Sequence, residues 1–528
     1  MHKRSVIVLL LVACATGVCA VVALSWRSVP EAPAQDSEPV DRPARLRPDY
    51  GGSVIPPNIA PLNFAIQEPG VAFWARMSSR QGDAIEVWSR DGIIKVPPQR
   101  WRRLLQANRG QTLCVDVFAK EANGPWRRFQ STTNLIAQED IDACLVYRKM
   151  HLTHVRVGSR IGIYCRHLST FQESVVLSST SYEGGCLNCH SFCRNDPDKM
   201  LLGVRSDKYG TATLLADEGA VHRLDAKFGY TSWHPSGRLA VYAVNNIPMF
   251  YHAARNEVRD TVNLDSMLVI YRCEPGRSDV EPKLAQKDRL ENWPVWSGDG
   301  KYLYFCTAPK LWPANTGVPP ELYDRVKYDL VRIAYDLATD TWGAIETVLS
   351  AQQTGKSIGM PHVSPDGRWL SCCMFDYGYF PSWKQESDLY LIDLGAPRQD
   401  GQFPYRRLEI NSDKSEAWQT WSSNSRWLVF SSKRLHGVFT RLFLSYVDSA
   451  GQVHKPFVLP QEDPDFYESC LLVFNTPELV TGPPRAAGEA LAGVFRRRQG
   501  TSVSIPQTMA TPPAGRVPPA SSWQLQRE

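Results

Sequence analysis

Trp296-Ser297-Gly298-Asp299-Gly300-Lys301-Tyr302-Leu303-Tyr304-Phe305 is one of four stretches in this chain that align with one another without gaps. The others are Trp233–Tyr242, Val363–Cys372 and Trp421–Phe430. Each reads as strand, tight turn, basic residue, strand. Gly237, Gly300 and Gly367 hold the turn position that wants a positive φ, and Ser425 stands there in the last copy at a small cost in strain. The copies begin at 233, 296, 363 and 421, so they are spaced by 63, 67 and 58 residues. This is the period of a radial array of four-stranded blades with inserted loops. Outer strands follow at Met267–Tyr271, Leu330–Asp336, Asp388–Asp393 and Leu442–Tyr446.

The repeats resemble the WD40-like (PD40) repeats of TolB-type β-propellers, whose turn pattern is Trp-Ser-Pro-Asp-Gly-Lys. The resemblance covers roughly residues 207–480; it is specific for fold and silent on function. A further inner unit is expected at Tyr467–Phe474, without the turn motif. Its outer strands are expected from Gly210–Leu215 and Ala220–Leu224, closing the ring by pairing its two ends. The expectation is five blades, with six kept open because TolB itself resembles the six-bladed form.

With 528 residues, 43% hydrophobic and 21% charged, the chain has material for two or three domains. Its 16 Trp, 20 Tyr and 19 Phe, with many Gly and Pro, point to an all-β protein. A net charge of +5 is small for this length, and no basic run is interleaved with aromatics, so nucleic acid is excluded as a partner class. Residues 1–26 read as a signal or membrane anchor: Lys3 and Arg4 precede an apolar run from Ser5 to Trp26. An uncleaved anchor, cleavage after Ala20 and lipidation at Cys14 all carry the body of the protein across the membrane. The expected location is the bacterial periplasm or cell envelope, anchored to the inner membrane. Residues 27–54 read as a disordered tether, 55–150 as a small β-sandwich with a helical turn near Pro98–Ala107, 203–480 as the propeller and 481–528 as a disordered tail.

Cys186-Leu187-Asn188-Cys189-His190 has the spacing of covalent c-type haem attachment. Two thiols add to the porphyrin vinyl groups and the next imidazole ligates the iron. Residues 151–202 are therefore read as a haem-attachment segment linking sandwich and propeller, because propeller sequence follows too soon for a cytochrome c domain. Cys186, Cys189 and His190 bind haem c in this reading, with His190 as the proximal iron ligand. Met200 and His167 are the candidate distal ligands, and an open sixth position is the alternative. Tyr182 and Phe192 are placed to stack near the porphyrin, and Arg194 and Arg205 to pair with its propionates. In the haem reading Cys165 and Cys193 are left to pair as a disulfide. Two haem-free readings stay open: a four-thiolate zinc site using Cys165, Cys186, Cys189 and Cys193, or two disulfides. Neither requires His190.

The order of anchor, β domain with Asn58–Phe64, Gly185–Phe192, then propeller also resembles a group of bacterial envelope proteins, some labelled cytochrome-related. That resemblance implies haem and export and supplies no substrate. No Gly-x-Ser-x-Gly elbow, P-loop, dinucleotide fingerprint or His-Glu-x-x-His is present, so catalysis is not expected. A haem enzyme such as a peroxidase would need an open iron site and an acid/base that the sequence does not identify. The loop Phe375–Trp383 is a candidate ligand-contacting loop with Asp376 as its polar contact, while Asp299 and Asp366 read as turn residues. The expected function is electron transfer, or redox or ligand sensing, through one haem, with the propeller docking a protein partner. The alternative is a haem-free scaffold.

Overall fold

The structure, a computed structural model, describes residues 33, 37–152, 161–253, 255, 257–314, 316–497 and 499–503, with Cys189 described by its main chain alone. The expected anchor, residues 1–26, lies outside these. Among the described residues no helix is long and apolar enough to cross a membrane. The chain divides into two compact units.

The smaller unit comprises residues up to 52, 61–136 and 460–468. Its central strand, Thr112–Lys120, buries alternate residues Leu113, Val115, Val117 and Ala119, as period-two patterning requires. It pairs with Ala72–Ser78 along one edge, and with Trp126–Gln130 and Thr132–Ile136 along the other. The expected helix is present over Pro98–Ala107, opening with a proline at its first position and burying Trp101, Leu104 and Leu105. The tether reading is corrected from Ser37 onward. Glu38–Pro43 pairs in parallel with Trp126–Gln130, and the buried Glu68 carboxylate accepts two 2.7 Å bonds from Arg42 and one from the Arg45 amide. A strand held by ladder bonds and an ion pair shows no apolar period of its own.

The larger unit is a propeller of six four-stranded sheets. Blades two to six run in chain order, with inner strands Cys186–Phe192, Gly229–Trp233, Arg289–Trp296, Ser357–Val363 and Glu416–Trp421. Blade one is split. Its inner strand, Leu472–Val480, comes from the C-terminal side and pairs with Cys144–His151, which leads outward to Gly162–His167 and Glu173–Ser178. Each inner strand touches the next, and blade one touches both six and two, so the ring is closed.

The blade count is therefore six, the form kept open, rather than the favoured five. The ring does close by pairing its ends, but with different strands. Gly210–Asp217 and Ala220–Leu224 belong to blade two, behind the Cys186–Phe192 strand. The segment 151–202 is thus not a linker: strands Cys144–His151, Gly162–His167 and Glu173–Ser178 complete blade one, and Cys186–Phe192 and Lys199–Ser206 begin blade two. Residues 481–528 also differ from a disordered tail as far as Val503. Helix Glu489–Arg496 buries Leu491, Ala492 and Phe495, and the Phe495 ring meets Tyr182 edge-on at 5.0 Å. Surrounding Pro and Ala hide this one-sided apolar stripe from a composition reading.

The turn motifs behave as read. Ser297 Oγ donates to Asp299, whose carboxylate also accepts the Lys301 amide, and Ser364, Asp366 and Arg368 repeat the pattern. Gly300 and Gly367 share a positive φ, 74° and 75°, but not their surroundings. A Cβ on Gly300 would stand 2.4 Å from His234 Nε2, whereas one on Gly367 meets nothing within 4 Å. Gly367→Ala is expected to cost about 1 kcal/mol and Gly300→Ala clearly more, about 2–3 kcal/mol. Urea unfolding of both variants checks this, and equal costs would contradict the packing argument.

Candidate functional site: the propeller channel

Every inner strand carries an extra residue at the same place. Register breaks fall at Asn188/Ser191, Gly229/Ser232, Asn292/Val295, Gly359/His362 and Ala417/Thr420, and at Val146/Arg148 opposite Leu472–Val480. In five strands the first bulged residue has a positive φ: Tyr230, Trp293, Met360, Trp418 and Thr476. None is glycine, so each bulge is strained and has to be over-determined by its packing. Cys189 holds the equivalent position in the sixth.

The bulges line one cavity of about 380 Å³ in the centre of the ring. All six blades contribute, with His190 and Phe192, Tyr230 and Trp233, Trp293 and Trp296, Met360 and His362, Trp418 and Trp421, and Thr476 and Glu478 on its wall. The tryptophans of the turn motifs stitch neighbouring blades together. Trp233 donates its indole N–H to the Ser191 carbonyl and Trp421 donates to that of His362, both at 3.1 Å. Arg194 and Asn195 stand at the rim, beside the turns. Asn195 is held by the Trp421 and Leu479 carbonyls. The exposed Arg194 has no ion-pair partner among the described residues.

The polar groups in this wall are costly. Both ring nitrogens of His190 are buried without a hydrogen-bond partner, and Nδ1 of His362 is likewise orphaned. Burial, with Arg148 nearby, pushes the His190 imidazole down to about 3; the Val146 main chain opposes this weakly. Burial pushes His362 down to about 4. Glu478 faces His190, Oε2 to Nε2, at 3.9 Å, and accepts the Phe192 amide at 2.8 Å. Burial raises this carboxyl to about 8, so His190 and Glu478 meet as neutral groups rather than as an ion pair. The 20% of the Glu478 side chain that stays accessible lines the cavity. Arg148 fixes the strand behind them, donating to Asn188 Oδ1 at 2.6 Å and to Asn475 Oδ1 at 2.9 Å.

Of the residues singled out from sequence, His190, Phe192 and Arg194 line the cavity. Cys186 does not. Its thiol is half-buried at the start of the strand, where Arg205 Nη2 approaches at 3.5 Å. Met200 and Tyr182 are fully buried in the apolar cluster between blades one and two, off the cavity wall. His167 stands on the third strand of blade one with Nδ1 3.7 Å from Cys144 Sγ, away from the cavity wall. Cys165 and Cys193 are free thiols in separate clusters, which argues against their disulfide and against a zinc site shared between them. Among the described residues no three His, Cys, Asp or Glu side chains group as metal ligands.

The Phe375–Trp383 loop packs against the strained bulge residues of blades three, four and six. The Tyr379 carbonyl accepts the Trp293 indole at 3.2 Å and its hydroxyl meets that of Tyr230 at 2.8 Å; Phe380 packs edge-on against Trp418. Lys384 and Tyr377 hold the loop through the buried Asp260, at 2.5 and 2.9 Å. Asp376 pairs with Lys356 Nζ at 2.7 Å and does not line the cavity. His362 and Glu478 escaped the sequence reading. One signal was there: a large residue three positions before each turn-motif anchor, Tyr230 to Trp233, Trp293 to Trp296, Met360 to Val363 and Trp418 to Trp421.

No family model matches the chain, and no curated protein matches it. Among solved structures it is similar to an oligogalacturonate lyase in complex with manganese, with 15% identity over 59% of this chain and 72% of that one, and a TM-score of 0.34. It is also similar to the oligogalacturonate lyase of Vibrio parahaemolyticus, with 9% identity, 58% and 92% coverage and a TM-score of 0.30. A luciferin-regenerating enzyme gives 10%, 59% and 90%, and 0.33.

The two raised carboxyls have a measurable consequence. Glu291, in blade four, is also pushed up to about 8 by burial. Between the unfolded carboxyl value near 4.5 and about 8 the folded state holds more protons than the unfolded one, so stability falls as pH rises through that window. Each group contributes a slope of up to about 1.4 kcal/mol per pH unit. Glu478→Gln and Glu291→Gln are each expected to flatten the pH dependence of urea unfolding between pH 5 and 8 by about that amount. An unchanged slope would show that the carboxyl is already ionised in the folded protein.

Proposed function

We propose that the chain is an exported propeller carrying one c-type haem at Cys186, Cys189 and His190, and that this haem transfers electrons or senses a redox state or ligand. The observation that carries the reading is the state of His190. It is the last residue of the attachment motif, its imidazole is neutral, and both nitrogens are buried without a partner on the wall of an aromatic-lined cavity. An unpaired buried imidazole costs about 1–3 kcal/mol, and ligation of a metal removes that cost. The bound group would supply one-electron or ligand-binding chemistry at its iron. His190 would hold the iron, Trp233, Trp296 and Trp421 would exclude water, and Arg194 at the rim would meet an anionic substituent. The propeller face then docks a protein partner, and the N-terminal apolar run delivers the chain to the bacterial periplasm and tethers it at the inner membrane.

The competing reading is a haem-free propeller scaffold. It draws on Cys186, whose thiol stands off the cavity wall beside Arg205. A four-thiolate zinc version is weakened by the separation of Cys165 from Cys193. A haem-stained denaturing gel of the full chain, exported with the haem-attachment machinery present, decides between them. One stained band is expected, lost in Cys186→Ala and in Cys189→Ala. The haem reading fails if wild type gives no band, or if the band survives both substitutions.

A further inference from the structure

The rim of the cavity carries one charge where its repeat calls for none. Two residues past the end of each inner strand the chain turns over the cavity mouth, and in five blades this residue lines it: Arg194, Pro235, Gly298, Pro365 and Ser423. Four are uncharged and blade two alone supplies a cation. Arg194 is also put there against local preference. Arg194 and Asn195 have φ of 56° and 60°, and the Asp196 amide donates to the Cys193 carbonyl at 3.0 Å. The two central places of such a turn suit Asn and Gly and strain an arginine. The turn is clamped from blades six and one: Asn195 Nδ2 donates to the Trp421 and Leu479 carbonyls, and the Asn195 carbonyl accepts the Thr481 amide at 3.0 Å. Asp142, behind Ser423 on the same rim, is taken up by the Ser423 amide and hydroxyl at 2.8 and 2.5 Å.

Below the rim the wall is aromatic and uncharged. Tyr230, Trp233, Trp293, Trp296, Trp418 and Trp421 line a space of about 380 Å³, within the range of about 300–1,000 Å³ in which proteins hold small molecules. Glu478 is the one acid among the lining residues, and burial keeps its carboxyl protonated near neutral pH. A cationic ligand would therefore meet Arg194 on entry and no ionised acid beneath it. We infer that this cavity binds a small aromatic monocarboxylate, its ring among the tryptophans and its carboxylate on the Arg194 guanidinium at the mouth, whose planar fork matches it. Backbone strain at both levels of one cavity, in the bulges and in this turn, fits a built site. The inference does not rest on the haem reading: Cys186 stands off the wall, and the inner strands form the cavity whether or not haem is attached.

Naphthoate, the neutral naphthalenemethanol and the cationic naphthylmethylammonium share one ring system and differ in charge. Their binding to the full-length exported protein, followed by calorimetry and by quenching of tryptophan fluorescence, is the test, and the stained gel on the same protein reports the haem reading separately. Wild type is expected to bind naphthoate about tenfold more tightly than the alcohol, and the ammonium compound least. Arg194→Asn, which suits the turn, is expected to fold at least as stably in urea, to weaken naphthoate about tenfold and to leave the alcohol unchanged. Equal naphthoate affinity in Arg194→Asn and wild type overturns the role of Arg194, and tightest binding of the ammonium compound overturns the charge assigned to the ligand. Displacement of naphthoate by an equal concentration of acetate marks a bare anion site and overturns the part given to the aromatic wall. Binding of none of the three probes overturns the inference whole.

Discussion

The antiparallel pairing of Leu472–Val480 with Cys144–His151, Val480 opposite Cys144 and Leu472 opposite His151, is the constraint on which the propeller depends. Without it the ring has two open strand edges and no enclosed centre. Joining segments more than 300 residues apart costs loop-closure entropy, but that term grows only as the logarithm of loop length. The joint is correspondingly well filled. Val146, Val176, Leu202, Leu214 and Val480 pack there in one apolar cluster, and Leu491 and Phe495 of the C-terminal helix complete it. The helix therefore belongs to the closure rather than to a tail. Arg223 donates to the Phe495 carbonyl, which ties the helix to the outermost strand of blade two.

Closure gives the inner strands a common centre, and the repeated bulge determines what faces it. A regular strand would alternate its side chains; the inserted residue breaks that alternation at one level of all six blades. Five non-glycine residues in the left-handed region cost about 1–2 kcal/mol each. Aromatic packing offsets part of this: Tyr230 and Trp293 lie 3.8 Å apart, and Tyr379 stacks on Trp293 at 5.7 Å. Strain repeated at one level of a ring and held by a capping loop is the arrangement expected of a built site.

The blades were legible because their turn motifs are local: Ser297, Asp299 and Gly300 satisfy one another within four residues. The helix Pro98–Ala107 was legible for the same reason, as a proline followed by an apolar face. Blade one was not, because its strands come from both ends of the domain and carry no turn motif. Missing it made Cys186–Phe192 look like a linker and left the count at five. The site was half legible. The Cys-x-x-Cys-His spacing marked His190, and nothing local marked His362 or Glu478, whose meaning comes from facing the same cavity from blades five and one. Met200 and His167 looked better in sequence only because they are close to the motif along the chain.

Desolvation is what makes this channel chemically ready. A solvated histidine near neutral pH is partly protonated, and a metal has to displace that proton. Burial holds His190 and His362 neutral well below neutrality and keeps the carboxyl of Glu478 protonated. The wall therefore carries neutral imidazoles and a neutral carboxyl, and the one Arg or Lys on its lining, Arg194, stands out at the rim. The loop packed on the bulges, clamped by Lys384 and Tyr377 on Asp260, holds Tyr379 against Trp293 and Tyr230 and so fixes two of the strained residues in place.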